Sequence, residues 1–148
     1  MGTKIICIAA LLLFSICGYA QKYKLVKESI LQLENGNIRK DYAYTGKNSR
    51  GLTLKVYHIN DQEGKRLERF LEVSDKYSGK KDTQKHVYSY DNEGKIECVS
   101  LTRWDNNTSK WSNISEVSRH TYDSEGNLTA IKQFEINTEN LYFTQNLE

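Results

Sequence analysis

The sequence predicts an all-β domain: an antiparallel meander of about eight strands, arranged as four repeated hairpins in one twisted, curved sheet that partly closes on itself. Three observations carry this. A Tyr-Asp-x-Glu-Gly phrase occurs at Tyr90–Gly94 and again at Tyr122–Gly126. A copy without the tyrosine occurs at Asn60–Gly64, and a reduced one at Leu33–Ile38. The four glycines, at 36, 64, 94 and 126, stand 28, 30 and 32 residues apart, an interval typical of repeat architectures. Proline is absent, and β-branched and aromatic residues flank every copy, which is a hairpin signature.

The elements follow in order. Residues 22–34 and 37–45 flank Asn35-Gly36, which reads as a two-residue type I′ turn with Glu34 facing Asn37 and Leu33 facing Ile38. The segment LVKESILQLE could pass for a helix, but it feeds an Asn-Gly turn and is assigned as strand. Residues 51–60 and 65–73 flank the second turn, 85–91 and 95–104 the third, and 111–122 and 127–136 the fourth. Asp-x-Glu-Gly suits a type I turn closed by a left-handed glycine, with the aspartate accepting from backbone amides ahead of it. Tyr90 with Ile96, and Tyr122 with Leu128, sit at matching offsets and are expected to pair across their hairpins; Ile59 with Leu67 is the equivalent expectation one residue farther out. The connecting loops are Thr45–Arg50, Ser74–Gln84 and Asp105–Lys110, rich in Gly, Ser, Asn, Asp or Lys. Trp104 and Trp111 bracket the last and could pair across its mouth. That pairing, taken with strict alternation, places Tyr90 and Tyr122 on opposite faces, whereas a regular repeat places them on one; a one-residue bulge reconciles the two.

Ahead of the repeats, Lys4 precedes the apolar run IICIAALLLFSIC and then Gly18-Tyr19-Ala20. A basic start, a short apolar core and small residues at −3 and −1 predict a secretory signal peptide over residues 1–20. The run is shorter than the roughly 20 residues that span a bilayer, so no membrane span is expected. A lipoprotein signal ending at Cys17 is disfavoured by Ile16, where such signals want a small residue. The expected organisation is thus a signal peptide at 1–20, a hairpin-repeat domain at 21–136 and a tail at 137–148, in a protein secreted to the periplasm or cell surface. The tail contains ENLYFTQ, which resembles the cleavage tag ENLYFQ with a threonine inserted, and no function rests on it. Removal of 1–20 takes Lys4, leaving 20 basic against 19 acidic residues and a charge of +1. It also leaves Cys98 as the one cysteine, so an internal disulfide is not expected. The charges are interspersed, without the positive stripe that nucleic-acid binding needs, so no nucleic-acid partner is expected.

The phrase Tyr122-Asp123-Ser124-Glu125-Gly126-Asn127-Leu128 resembles the tyrosine–aspartate (YD) repeat of Rhs-type wall and shell proteins. The longer arrangement, from Trp104 and Trp111 to Gly126-Asn127, is similar to repeats of secreted proteins in Bacteroides and its relatives. The whole chain resembles a small Bacteroides family of unknown function. The likeness is good over 85–136 and poor before 60. It implies curved β architecture, sometimes credited with carbohydrate binding, and is nearly silent on chemistry.

Catalytic and metal constellations are not legible. Asp91-Asn92-Glu93-Gly94 packs its oxygens into three residues, whereas a calcium loop spreads its ligands over twelve. His58, His86 and His120 are scattered, and His58 and His120 occupy the repeat position of Tyr88, so they read as amphipathic strand residues rather than zinc ligands. Cys98 alternates with Ile96 in a strand and reads as a structural thiol. No metal or other cofactor is expected, and an enzyme, a hydrolase for instance, is the least favoured class. The favoured expectation is a non-catalytic, secreted binding or envelope-associated module with a glycan or envelope protein as partner. Its candidate binding residues are Trp104, Trp111, Tyr88, Tyr90 and Tyr122, whose flat rings suit stacking on sugars or gripping a peptide. Tyr23, Tyr42, Tyr44 and Tyr57 add to that supply. The alternative is a purely structural or assembly repeat, which exposed edge strands would favour.

Overall fold

A computed structural model describes residues 23–47 and 51–138. The signal-peptide segment and most of the C-terminal tail lie outside these residues. The eight strands are β1 (Tyr23–Gln32), β2 (Ile38–Gly46), β3 (Leu52–Asn60), β4 (Arg66–Asp75), β5 (Lys81–Tyr90), β6 (Ile96–Asp105), β7 (Lys110–Tyr122) and β8 (Leu128–Asn137). They form one antiparallel sheet in the order of the chain. The expected partial closure does not occur: β1 and β8 are open edges of a meander. Closure would have needed a ladder between the first and last strands, and every strand pairs only with its sequence neighbours.

All four repeat turns lie at one end of the sheet, and three share one device. In each, the glycine amide donates to the aspartate carbonyl: Gly64 to Asp61 at 3.1 Å, Gly94 to Asp91 at 3.0 Å and Gly126 to Asp123 at 3.0 Å. The aspartate Oδ1 accepts the two amides ahead, Glu63 and Lys65 on Asp61, with the same pattern on Asp91 and Asp123. The glycines adopt φ of 86°, 80° and 85°, where a side chain would be strained.

Leu33–Gly36 makes the same turn, not the expected type I′. Gly36 donates to the Leu33 carbonyl, and Gly36 alone in that turn has a positive φ, whereas type I′ needs two such residues. The Asn35 side chain, accepting from the Asn37 amide, stands in for the missing aspartate.

Tyr90 pairs with Ile96 and Tyr122 with Leu128, as expected. Ile59 does not pair with Leu67. Its partner is Glu68, because Leu67 is the extra residue of a bulge three positions past the glycine. Glu97 and Thr129 are skipped at the same repeat position. Trp104 does pair with Trp111, through a register shift between Thr102 and Trp104. That irregularity lets the Trp pair and a same-face Tyr90 and Tyr122 coexist.

The fifth strand begins at Lys81, four residues before the expected start at 85. Lys81 and Asp82 look like loop residues but open β5, because a one-layer sheet leaves strand ends in solvent and Lys81 finds Glu72 on β4 at 2.7 Å.

Tyrosines and lysines join the hairpins laterally. Tyr90 Oη donates to the Arg66 carbonyl at 2.6 Å, and Tyr122 Oη to the Ile96 carbonyl at 2.8 Å. Each acceptor lies two residues past the glycine of the preceding hairpin. The lysine directly after that glycine approaches the same ring, Lys65 Nζ at 5.9 Å from the Tyr90 centroid and Lys95 Nζ at 5.5 Å from that of Tyr122. Asn60 replaces the tyrosine in the second hairpin, and its Oδ1 is shielded without a hydrogen-bond partner. The tyrosine that defines the phrase is therefore an inter-repeat tie.

A second layer is absent among the described residues. Tyr23, Leu54 and Val117 are the only buried hydrophobic residues there, and no large side chain is fully enclosed. Most strand residues are half-buried, covered by cross-strand neighbours and by long amphipathic side chains.

Candidate functional site

Register pairing sorts the side chains into two faces, since directly paired residues point the same way and alternate residues point oppositely. One face carries Arg39 and Asp41 on β2, Tyr57 on β3, Glu68, Phe70 and Glu72 on β4, and Lys85 on β5. Trp104 and Trp111, at the loop end of β6 and β7, join it. Trp111 packs edge-on against Phe70 with centroids 6.3 Å apart and an interplanar angle of 81°. Strands β4 and β7 are three steps apart, about 14 Å at the usual strand spacing of roughly 4.8 Å. Rings rooted that far apart meet only if the sheet curls toward them, so this face is concave here. Thr83 and Ser115 lie on the same face and are among the most buried residues of the sheet. In a single layer, cover for such small side chains must come from their larger neighbours.

The rings form a continuous row. Tyr57 stacks on Phe70 at 4.8 Å with planes 2° apart, Phe70 meets Trp111, and Trp111 meets Trp104 edge-on at 5.3 Å. Cations flank the row: the Arg39 guanidinium carbon lies 4.0 Å from the Tyr57 centroid and Lys85 Nζ 5.0 Å from that of Trp111. Tyr57 is thus engaged by both Arg39 and Phe70, and its hydroxyl donates to Glu68 at 2.5 Å. Burial, then that carboxylate, push its pKa up to about 12, so it stays protonated. Arg39 in turn grips Asp41, Nη2 to Oδ1 at 2.7 Å, and this bond raises the guanidinium pKa further.

An open groove of about 490 Å³ lies at the Tyr57–Phe70 end of the row, with Arg39, Ala43, Tyr57 and Phe70 among its lining and Lys27 and Ser29 on the β1 side. Lys55 and Glu72 also line it, 3.6 Å apart. The small Ala43 leaves space between the charged pairs and the rings. Such a surface can stack an apolar ring face and hydrogen-bond several hydroxyls.

Of the five residues singled out from sequence, the fold brings only Trp104 and Trp111 to this row. Tyr88, Tyr90 and Tyr122 lie on the opposite face, and Tyr90 and Tyr122 are occupied as lateral ties. All five are half-buried. Sequence reasoning missed Phe70, and it did not single out Tyr57 above other tyrosines, because neither is part of the recurring phrase. Their strand-alternation parity relative to Trp111 was the available signal, and bulges at Leu67 and near Thr102 scramble it.

His58, His86 and His120 share the other face, on β3, β5 and β7. Among the described residues, no three His, Cys, Asp or Glu side chains gather as a metal site. Cys98 is a free, half-buried thiol opposite Ser89 and Arg119. No helix of the described residues is long and apolar enough to cross a membrane. No protein-family model, curated protein or solved structure matches the chain.

Proposed function

We propose that the protein is a non-catalytic, envelope-associated binding module that holds a glycan on its concave face. The observation that carries this is the row Tyr57–Phe70–Trp111–Trp104 beside a groove lined by paired charges. With Tyr57 and Phe70 stacked on each other, the stacking platform falls to the tryptophan pair. Sugar C–H faces lie on aromatic rings, and planar groups such as Arg39, Asp41 and Glu72 suit bidentate hydrogen bonds to neighbouring hydroxyls. The secretory signal read from residues 1–20 would place the domain among envelope polysaccharides.

The chain has two tryptophans, and both lie in the row, so intrinsic fluorescence reports on the site directly. Titration with solubilised envelope polysaccharides should shift the emission saturably, and Trp111→Ala should weaken binding at least tenfold. Unchanged emission with every polysaccharide would sink the reading.

A second reading, an assembly subunit, is supported by β1. Nine of its ten residues are exposed, including Val26, Ile30 and Leu31, on an unpaired edge without proline. Such an edge is a template for strand addition by a second copy. Light scattering of the wild type against a Val26→Lys/Ile30→Lys variant separates the two readings. A monomer at every concentration would remove assembly while leaving glycan binding intact.

A further inference from the structure

The face opposite the groove carries a charge arrangement that no part of the chain shows in sequence. Lys40 on β2 pairs directly with His58 on β3, His58 with Arg69 on β4, and Arg69 with His86 on β5. Four basic residues thus stand side by side on four consecutive strands. Arg66 joins them on the same face through its pairing with Asn60, and Arg103 lies on that face opposite Gln84.

The carboxylates of the same strands are elsewhere. Asp41, Glu68 and Glu72 all point to the groove face, and Asp75 and Asp82 stand at the far, loop end. Glu116, on β7, is bonded to Arg103 at 3.4 Å. Among the described residues, Lys40, Arg66 and Arg69 appear in no ion pair with a carboxylate. The charges acting on His58 are those of Arg66, Arg69 and Lys40, and those on His86 are Arg69 and Arg103, with no acid among them. The Nε atoms of Arg66 and Arg69 and the Nδ1 atoms of His58 and His86 are shielded from solvent and lack a hydrogen-bond partner. A cluster of this kind repels itself and leaves buried donors unmade, both of which disfavour the empty sheet. A divalent cation would add to the repulsion. A dianion would relieve it, through charge-assisted bonds from the free ends of the guanidinium groups.

We propose that Arg66, Arg69 and Lys40, gathered around His58, form an anion site for a tetrahedral oxyanion, a phosphate or sulfate group. The site is independent of the aromatic groove and survives its failure, since the two occupy opposite faces. An anion there favours the imidazolium form of His58, and then of His86 across Arg69. Other titratable groups on this face are Tyr42, whose ring lies 6.0 Å from that of His58, Tyr88 and Tyr90 farther along β5, and Glu28 on β1, opposite Tyr42 and two residues from the partner of Lys40. Among the described residues, Glu28 is the one carboxylate next to the cluster, and it stands at the Lys40 edge, separated by two strands from Arg66 and Arg69 on β4.

The test uses the full chain and follows the histidine ring resonances by NMR through a pH titration. Sodium sulfate is compared with sodium chloride at matched ionic strength, sulfate being a dianion throughout that range. Saturating sulfate should raise the His58 pKa by at least one unit and leave His120, which has no such cluster, unmoved. Affinity should rise about twofold from pH 7.5 to pH 5. An Arg66→Gln/Arg69→Gln variant, with the wild-type strand CD spectrum, should lose the response, while Trp111→Ala should keep it. Two further probes distinguish the source of the group: a monosulfated disaccharide, and vesicles of phosphatidylglycerol in phosphatidylcholine. Tighter binding of either than of inorganic sulfate supports the site and assigns its carrier, a saccharide ester or a lipid headgroup. A His58 pKa equal in sulfate and chloride, equal movement of His120, or an undiminished response in the double arginine variant would overturn the proposal.

Discussion

Replacing Tyr90 and Tyr122 with phenylalanine isolates the lateral ties between hairpins, because only the hydroxyl is removed. Each hydroxyl makes one part-buried bond, to Arg66 O at 2.6 Å and to Ile96 O at 2.8 Å. A neutral hydrogen bond of this kind contributes about 1 kcal/mol net, and the carbonyl left behind is only partly shielded, which holds the loss near that value. The two sites are two strands apart, roughly 10 Å, so their effects should add. We therefore expect about 1 kcal/mol from Tyr90→Phe, the same from Tyr122→Phe, and about 2 kcal/mol from the pair. In a domain of this size that corresponds to a fall of about 4 °C in Tm per tie. Urea unfolding followed by far-UV CD measures it, and an unchanged m-value shows that the same surface is exposed. Wild-type stability in the double variant would refute the idea that the recurrent tyrosine serves as a tie. Asn60→Tyr is the converse: it restores the missing member of the series and should stabilise the β3–β4 hairpin if the ring reaches the Ile38 carbonyl.

Gly64→Ala should cost about 1–2 kcal/mol by chemical denaturation although nothing lies within 4 Å of the added methyl, since the whole cost is its φ of 86°. Gly64→Asn should recover part of it, and equal stability for all three would remove the left-handed turn from the account. Acid should weaken the fold through His58. Its folded pKa is pushed down to about 4, first by burial and then by Arg66, Arg69 and Lys40, from the ordinary 6.5. The unfolded chain takes up a proton that the folded one refuses, so this contribution is complete above pH 6.5 and is lost as the pH falls toward 4. The full shift would be worth about 3 kcal/mol at roughly 1.4 kcal/mol per unit, and partial exposure cuts it to about 1–2. His58→Gln should flatten unfolding free energy against pH between 6.5 and 4, and a slope equal to wild type would refute the assignment. Trp111→Ala should destabilise by about 2 kcal/mol in the same urea assay, below the cost of a fully buried tryptophan because the ring is half-exposed.

Strand order and turn positions were legible because both are local. An aspartate that accepts two amides and a glycine at positive φ leave a mark within five residues; that mark occurs three times, with a reduced copy at Leu33–Gly36. Where the reading slipped, a compensation within the same turn was responsible. Asn35 substitutes for an aspartate and makes one turn look like another type, and Leu67 looks like a paired residue because a bulge leaves no signature in composition. The Trp104–Trp111 pairing was legible from symmetry about its loop. The company the tryptophans keep was not, because Phe70 lies three strands away and reaches Trp111 only through the curl of the sheet.

The sequence by itself determined the hairpin unit, its repetition and the all-strand character of the four hairpins, since hydrogen bonds within a turn and alternation along a strand depend on neighbours in the chain. Tertiary structure decided everything that depends on face and edge. It left the meander open, set an aromatic row against a groove on one side, and lined Lys40, His58, Arg69 and His86 across four strands on the other. Those residues are separated by 18, 11 and 17 positions in a chain of nearly balanced charge, so composition reads as neutral. Lateral strand pairing brings them to about 5 Å intervals, and at that range their charges no longer average away.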